Sequence, residues 1–194
     1  MELTMDAPGR AAQRARFEAE ALVQLDALYG FALRLSRVRD EAEDLVSDTV
    51  LRALERWDQY QPGTNIRAWL FTILYHVFVS RKRRIGAREV PESETGHGWS
   101  VQNAVGEADP ERRFYDSFLD DGIVRAIDDL PEEYRAVVVL SDIEELRYVE
   151  IARILGIPEG TVKSRLFRGR RLLQRKLREY AVDMGYVKAL ALAS

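Results

Sequence analysis

EIARILGIPEGTVKSRLFRGRRLLQRKL, residues 150–177, decides the fold of the C-terminal half. Val149, Ile151, Ala152 and Leu155 give an apolar face to a helix that begins near Tyr148. Gly156 should stop it, because glycine takes the left-handed conformation of a helix C-terminus without steric cost. After Ile157, Pro158-Glu159-Gly160-Thr161 opens a second helix. Proline suits a first helical turn, and glutamate there complements the helix dipole. Val162, Leu166, Gly169 and Leu173, spaced by four, three and four, are its predicted buried face. Two helices joined by a tight glycine turn form a helix-turn-helix.

The opposite face carries Lys163, Ser164, Phe167, Arg168 and Arg171, with Thr161 at its start and Arg165 alongside. Eight basic residues stand between Lys163 and Arg178, with no acid among them. A charge run of this kind also marks a plain solvated helix. Here the glycine turn, the buried spacing and the missing acids coincide, which favours DNA reading. In such motifs the N-terminal part of the second helix enters the major groove. Arginine can bond guanine there in bidentate fashion, serine and lysine can reach bases or phosphates, and phenylalanine can touch a thymine methyl. From Gln174 onward the helix is expected to be an extension with a smaller role.

A nucleic-acid reader with net charge −3 needs explaining. The charge is laid out in blocks. Residues 40–48 hold five acids and no base, residues 65–88 hold six bases and no acid, and residues 89–121 turn acidic again. The net value therefore hides two cationic surfaces.

The chain has 194 residues, 46% of them hydrophobic and 31% charged, enough for one medium domain or two small ones. It has no cysteine, which excludes disulfides, zinc sites with cysteine ligands and cysteine nucleophiles. The N-terminus lacks the apolar core of a secretory signal. No apolar run approaches the roughly 20 residues of a membrane span. A cytoplasmic protein without membrane contact of its own is the simplest expectation. The stretch REVPESETGHGWSVQNAVGEADPE, 88–111, has the composition of a flexible linker. It separates a domain at 16–87 from one at 112–181.

Before the linker, Leu22, Leu25, Leu28, Tyr29, Ala32 and Leu35 recur at helical spacing. Asp40 with Glu43 reads as a capping box that opens an amphipathic helix. QPGT at 61–64 breaks the chain, and Asn65 can start the next helix. In that helix Ile66, Trp69, Leu70, Ile73 and Val77 form one apolar stripe and Phe71, Tyr75 and Phe78 a second. Both stripes are expected largely in a helical core. After the linker, 114–130 and 131–140 read as helices. Val137-Val138-Val139-Leu140 has β propensity, but its flanks favour helix. No alternating strand pattern appears elsewhere, so the predicted class is all-α: two small helical domains, the second ending in a helix-turn-helix.

At this point the residues carry a family resemblance. EIARILGIPEGTVKSRLFRGRRLL resembles the second DNA-binding region of extracytoplasmic-function (ECF) sigma factors of bacterial RNA polymerase. Response regulators of the LuxR type share a similar helix-turn-helix. The first half separates the two. DEAEDLVSDTVLRALERWDQYQPGTNIRAWLFTILYHVFVSRKRR, 40–84, resembles sigma region 2 throughout, and Leu130-Pro131-Glu132-Glu133-Tyr134-Arg135 resembles the start of region 4. A receiver domain would need β strands, and none is evident.

The resemblance implies a sigma-70-type factor with regions 2 and 4 only. It implies that the helix after Asn65 and its preceding loop recognise the −10 element and hold the opened non-template strand. Single strands need stacking platforms beside positive charge, and a flipped base needs a slot with polar edges. Tyr60, Asn65, Trp69, Tyr75, His76, Val79, Lys82 and Arg83 are the candidates for that role. His76 and Ser80 stand where many relatives have asparagine and aspartate, so the family's base preference does not carry over there. The helix around Asp44, Asp48, Leu51, Arg52 and Glu55 would dock on the clamp helices of core polymerase. Region 4 would hold the −35 element, through Thr161, Lys163, Ser164, Arg165, Phe167, Arg168 and Arg171, and the polymerase flap. An anti-sigma factor is the implied regulator. No cofactor, metal or enzymatic activity is implied. A stand-alone regulator of the LuxR type, or a polymerase-binding adaptor, are the alternatives.

Overall fold

The computed structural model describes residues 7–88 and 121–183, and every regular element among them is helical. The linker at 88–111 and the predicted helical stretch 114–120 fall, but for Arg88, outside the described residues. The chain divides into two compact units that part near Ser100 and Val101.

The first unit contains α1 (Ala7–Leu22), α2 (Leu25–Ser36), α3 (Arg39–Glu55), a 3-10 turn (Trp57–Gln59) and α4 (Ile66–Arg88). Its core is Leu28, Phe31, Leu45, Leu70, Phe71, Leu74 and Val77, and the Phe31 and Phe71 rings meet edge to face at 5.1 Å. Both predicted stripes of α4 contribute to this core, as the two-stripe pattern required.

Two local readings need correction. The repeat starting at Leu22 is not one helix: α1 ends there, and Leu22 and Val23 are exposed at the turn. The opening of α3 is not capped by Asp40. Val38, in extended conformation, is the N-cap and makes no side-chain cap. Asp40 lies inside the first turn, where its charge complements the dipole. Glu43 accepts from Arg39 Nε at 2.9 Å, one turn back, instead of closing a capping box.

The second unit contains α5 (Asp121–Asp128), α6 (Glu132–Val138), a π-helical turn (Val139–Ile143), α7 (Tyr148–Leu155) and α8 (Glu159–Asp183). The β-prone run 137–140 is helical and fully buried, so its branched side chains serve packing. Arg135 is also buried. Its guanidinium donates to the Asp128 and Leu130 carbonyls, closing the end of α5. Glu150 is buried and accepts from the Arg147 N–H at 2.9 Å, which caps α7. Gly156 ends α7 at φ 64°, and the Ile157 amide reaches back to the Ala152 carbonyl at 3.1 Å. These bonds fix the angle at which α8 leaves.

On α8, Val162, Leu166 and Gly169 are buried as predicted, while Leu173 is only half-buried. Gly169 is where α6 crosses closest. A Cβ there would stand 2.8 Å from Val138 Cγ2 and 3.2 Å from Tyr134 Cβ. Gly169→Val should therefore lower the stability of this unit by about 1–3 kcal/mol through overpacking. Thermal unfolding measures this, and an unchanged midpoint would contradict the close crossing. The end of α8 is more than an extension. Lys176 Nζ bonds Asp129 at 2.8 Å, and the Tyr180 ring occupies the space a Cβ on Gly122 would need. That segment is tied to α5.

Candidate nucleic-acid interface

In the second unit, Gly156 and the capped turn present α8 with one face outward. Lys163, Ser164, Phe167, Arg168 and Arg171 are exposed, Phe167 at 64%. The face therefore sets an apolar ring among hydroxyl and cationic groups. Arg171 stacks its guanidinium over the Phe167 ring at 5.9 Å. Ser164 Oγ donates to the Thr161 carbonyl at 3.0 Å, and Thr161 is half-buried. Arg165 stands apart: it is half-buried, and its Nη2 lies 3.0 Å from Glu133 Oε2. Arg170 donates to both Asp142 oxygens, and those bonds hold its pKa above the ordinary arginine value. A cleft of about 470 Å³ runs beside Phe167, lined also by Tyr148, Lys163, Arg171 and Gln174. Tyr148 and Gln174 were not among the sequence candidates. Tyr148 opens the first helix of the motif, and a periodicity reading confined to the second helix passes over it.

In the first unit the loop 60–65 is self-braced. Tyr60 Oη donates to the Thr64 carbonyl at 2.9 Å, Thr64 Oγ1 to the Gln61 carbonyl at 2.7 Å, and Gly63 takes φ 86°. Asn65 Oδ1 accepts the Ala68 amide at 3.2 Å and so caps α4. Gln61 to Asn65 are exposed along this loop. Tyr60 differs from its expected place. It is only 6% exposed, and its ring packs 5.7 Å from both Phe17 and Trp69. Burial, first, and the nearby Glu20 charge push its phenol above the usual tyrosine range. The ring supports the loop from below and is not an open platform. Trp69 is half-buried in the same cluster. Phe17, from α1, completes it and was missed, because the charged and alanine-rich sequence around it shows little apolar pattern.

Further along α4, His76, Ser80 and Arg83 are exposed on one face, four and three residues apart. Lys82 is exposed too, 5.7 Å over the Phe78 ring, while Tyr75 and Val79 are half-buried beside them. Aromatic edges and cations thus share this side of the helix.

On α3, Asp44, Leu51 and Glu55 are exposed, and Asp48 and Arg52 half-buried. Arg81 of α4 bonds Asp48 at 2.6 and 3.2 Å, donates to the Asp44 carbonyl at 3.2 Å and lies 3.6 Å from its carboxylate. The two aspartates thereby join α3 to α4 as well as facing solvent. Leu51, at 60% exposure, is the apolar point of this face.

The profile of Sigma-70 region 2 matches residues 23–88, and that of Sigma-70, region 4 matches residues 121–173. The chain is 36% identical over 181 residues to the ECF RNA polymerase sigma factor SigE of Mycolicibacterium smegmatis, spanning 92% of this chain and 68% of that one. It is 37% identical over 153 residues to the ECF RNA polymerase sigma factor EcfG of Rhodopseudomonas palustris, spanning 78% and 79%. Among solved structures it is similar to the sigma factor RpoE from Bartonella quintana, crystallised with the anti-sigma factor NepR. The TM-score is 0.63 and the identity 33%, with 84% of this chain and 97% of that one covered. No helix among the described residues is long and apolar enough to cross a membrane.

Proposed function

This chain belongs to the ECF RNA polymerase sigma factors, and from that premise we propose that it binds core RNA polymerase in the cytoplasm, directs it to particular promoters and helps open them. Catalysis stays with the polymerase. The observation that carries the reading is the exposed face of α8, where Lys163, Ser164, Phe167, Arg168 and Arg171 stand clear of the fold on the second helix of a glycine-turned pair. That face has the chemistry to read duplex DNA at the −35 element.

The unit over 16–87 is assigned to the −10 element and its melting. Loop residues 61–65 and the exposed His76, Lys82 and Arg83 supply polar edges and charge for a single strand, with Tyr75, Val79 and Trp69 as apolar walls. Tyr60 acts here by holding the loop. Residues 88–111 join this unit to the −35 unit over 112–181, which would also meet the polymerase flap.

Asp44, Leu51 and Glu55 on α3 would dock on the clamp helices of the polymerase, with Asp48 and Arg52 at the edge. Leu51→Asp should weaken binding to purified core polymerase about tenfold or more. The residue is exposed, so the fold should be untouched. A titration of labelled core measures both the wild-type affinity and the loss; absence of binding by the wild type would sink the proposal. An anti-sigma factor is the proposed regulator, since RpoE of Bartonella quintana was solved with NepR.

A further inference from the structure

Acidic partners hold only some of the cations of α8, and Arg175 and Arg178, outside the DNA-reading set, have none among the described residues. Arg170 is held by Asp142 and Lys176 by Asp129, and both lie outside the DNA-reading set. Lys163, Arg168 and Arg171, within that set, have no acidic partner among the described residues. Arg165 belongs to the reading set and is nevertheless paired. Its partner Glu133 comes from α6, next to Tyr134, whose Cβ stands at the close crossing with Gly169. The close approach of the two helices there brings the carboxylate within reach of Arg165.

We propose that Glu133 is a positioning residue for promoter recognition: it fixes the direction of Arg165 and offsets its charge toward the phosphates. This rests on the reading of α8 as the −35 reader. The side chains are 28% and 49% exposed, so the pair sits at the surface, at the flank of the exposed face of α8. A pair this exposed contributes little to stability. Its effect is on what Arg165 can reach. The guanidinium has five N–H donors in a rigid fork, and one contact from Nη2 to Glu133 leaves others for a base edge. An unrestrained arginine would swing to any phosphate within reach, and each such contact adds affinity that ignores sequence. Holding the side chain thus disfavours wrong sites more than the right one.

The test uses the full chain bound to core polymerase and a promoter library randomised in the upstream element. Bound templates are sequenced, and binding of one fixed random-sequence duplex is titrated against potassium chloride. Wild type should select an upstream motif. Glu133→Ala should lower that preference at one or two base pairs by about fivefold or more. It should also steepen the salt dependence by about 0.9 in log–log slope, the effect of one added phosphate contact. In an Arg165→Ala background, Glu133→Ala should change neither quantity. Unchanged preference and slope in Glu133→Ala would overturn the proposal, and so would an equal change without Arg165. Should Glu133→Ala fail to fold, Glu133→Gln removes the charge and keeps the shape, and the same comparisons apply. A wild type that selects no upstream motif would remove the −35 reading itself, and this inference with it.

Discussion

Phe17→Ala should cost the first unit about 3–5 kcal/mol, the usual range for emptying a phenylalanine site in a core. Phe17 is 3% exposed, and its ring lies 5.7 Å from Tyr60, tilted by 50°, and 5.7 Å from Trp69, nearly edge on. Aromatic pairs of this geometry add about 0.5–1.5 kcal/mol each beyond the area they bury. The loss has a second consequence. Tyr60 opens the loop that presents Gln61 to Asn65 and braces it through Thr64, and Trp69 stands in the first turn of α4 just after it. Without Phe17 both rings lose a wall, so promoter opening should fail at temperatures where the second unit remains folded. Urea or thermal unfolding of the full chain, read beside permanganate reactivity of promoter thymines, checks both parts. An unchanged unfolding midpoint would show that α1 is a peripheral helix.

Arg168→Ala should reduce promoter-dependent transcription by about tenfold to a hundredfold, the span of one good bidentate base contact. Arg168 is exposed, one position beyond Phe167, and is not held by any acid among the described residues. Removing it should leave stability and core binding as they were, since exposed side chains away from caps and pairs seldom move stability by more than about 0.5 kcal/mol. Arg175→Ala on the same helix, two turns further on, is the matched control and should have a much smaller effect. Equal losses from both substitutions would mean that the helix acts only through bulk charge.

The helix-turn-helix was readable because its signals are local. Gly156 needs a left-handed backbone, and Val162, Leu166 and Gly169 repeat at the period of one helix face. The two stripes of α4 were readable for the same reason. What the sequence hid depends on residues far apart along the chain. Glu133 and Arg165 are separated by several helical turns of other structure, so no pattern in either helix reveals their pairing. Asp48 and Arg81 are likewise distant, and the amphipathic pattern of the acidic helix gives no sign that its aspartates also bind α4. Tyr60 looked like an exposed loop aromatic because the rings that bury it come from α1 and α4. The D-x-x-E pattern at Asp40 suggested a cap, yet the helix begins at Arg39, and Glu43 finds a cation at i−4. In each case the residue type was informative and its partner was not visible.

The fold also gives a reason for the chain's acidity. Asp129 just after α5, Glu133 of α6 and Asp142 of the π-helical turn tie up Lys176, Arg165 and Arg170, which reduces the free cationic surface of α8. Affinity for random duplex is largely electrostatic. A chain so compensated should hold random DNA weakly by itself and gain selectivity when polymerase presents both units to one promoter.

Start-site mapping tests the sigma-factor reading most directly. The purified chain is added to core RNA polymerase with fragmented bacterial genomic DNA, and the 5′ ends of the transcripts are sequenced. The predicted result is a set of start sites that appear only with this chain and share two sequence blocks upstream at a fixed spacing. Start sites identical to those of core polymerase alone, together with a specific DNA shift by the free chain, would contradict it and leave a stand-alone DNA-binding regulator.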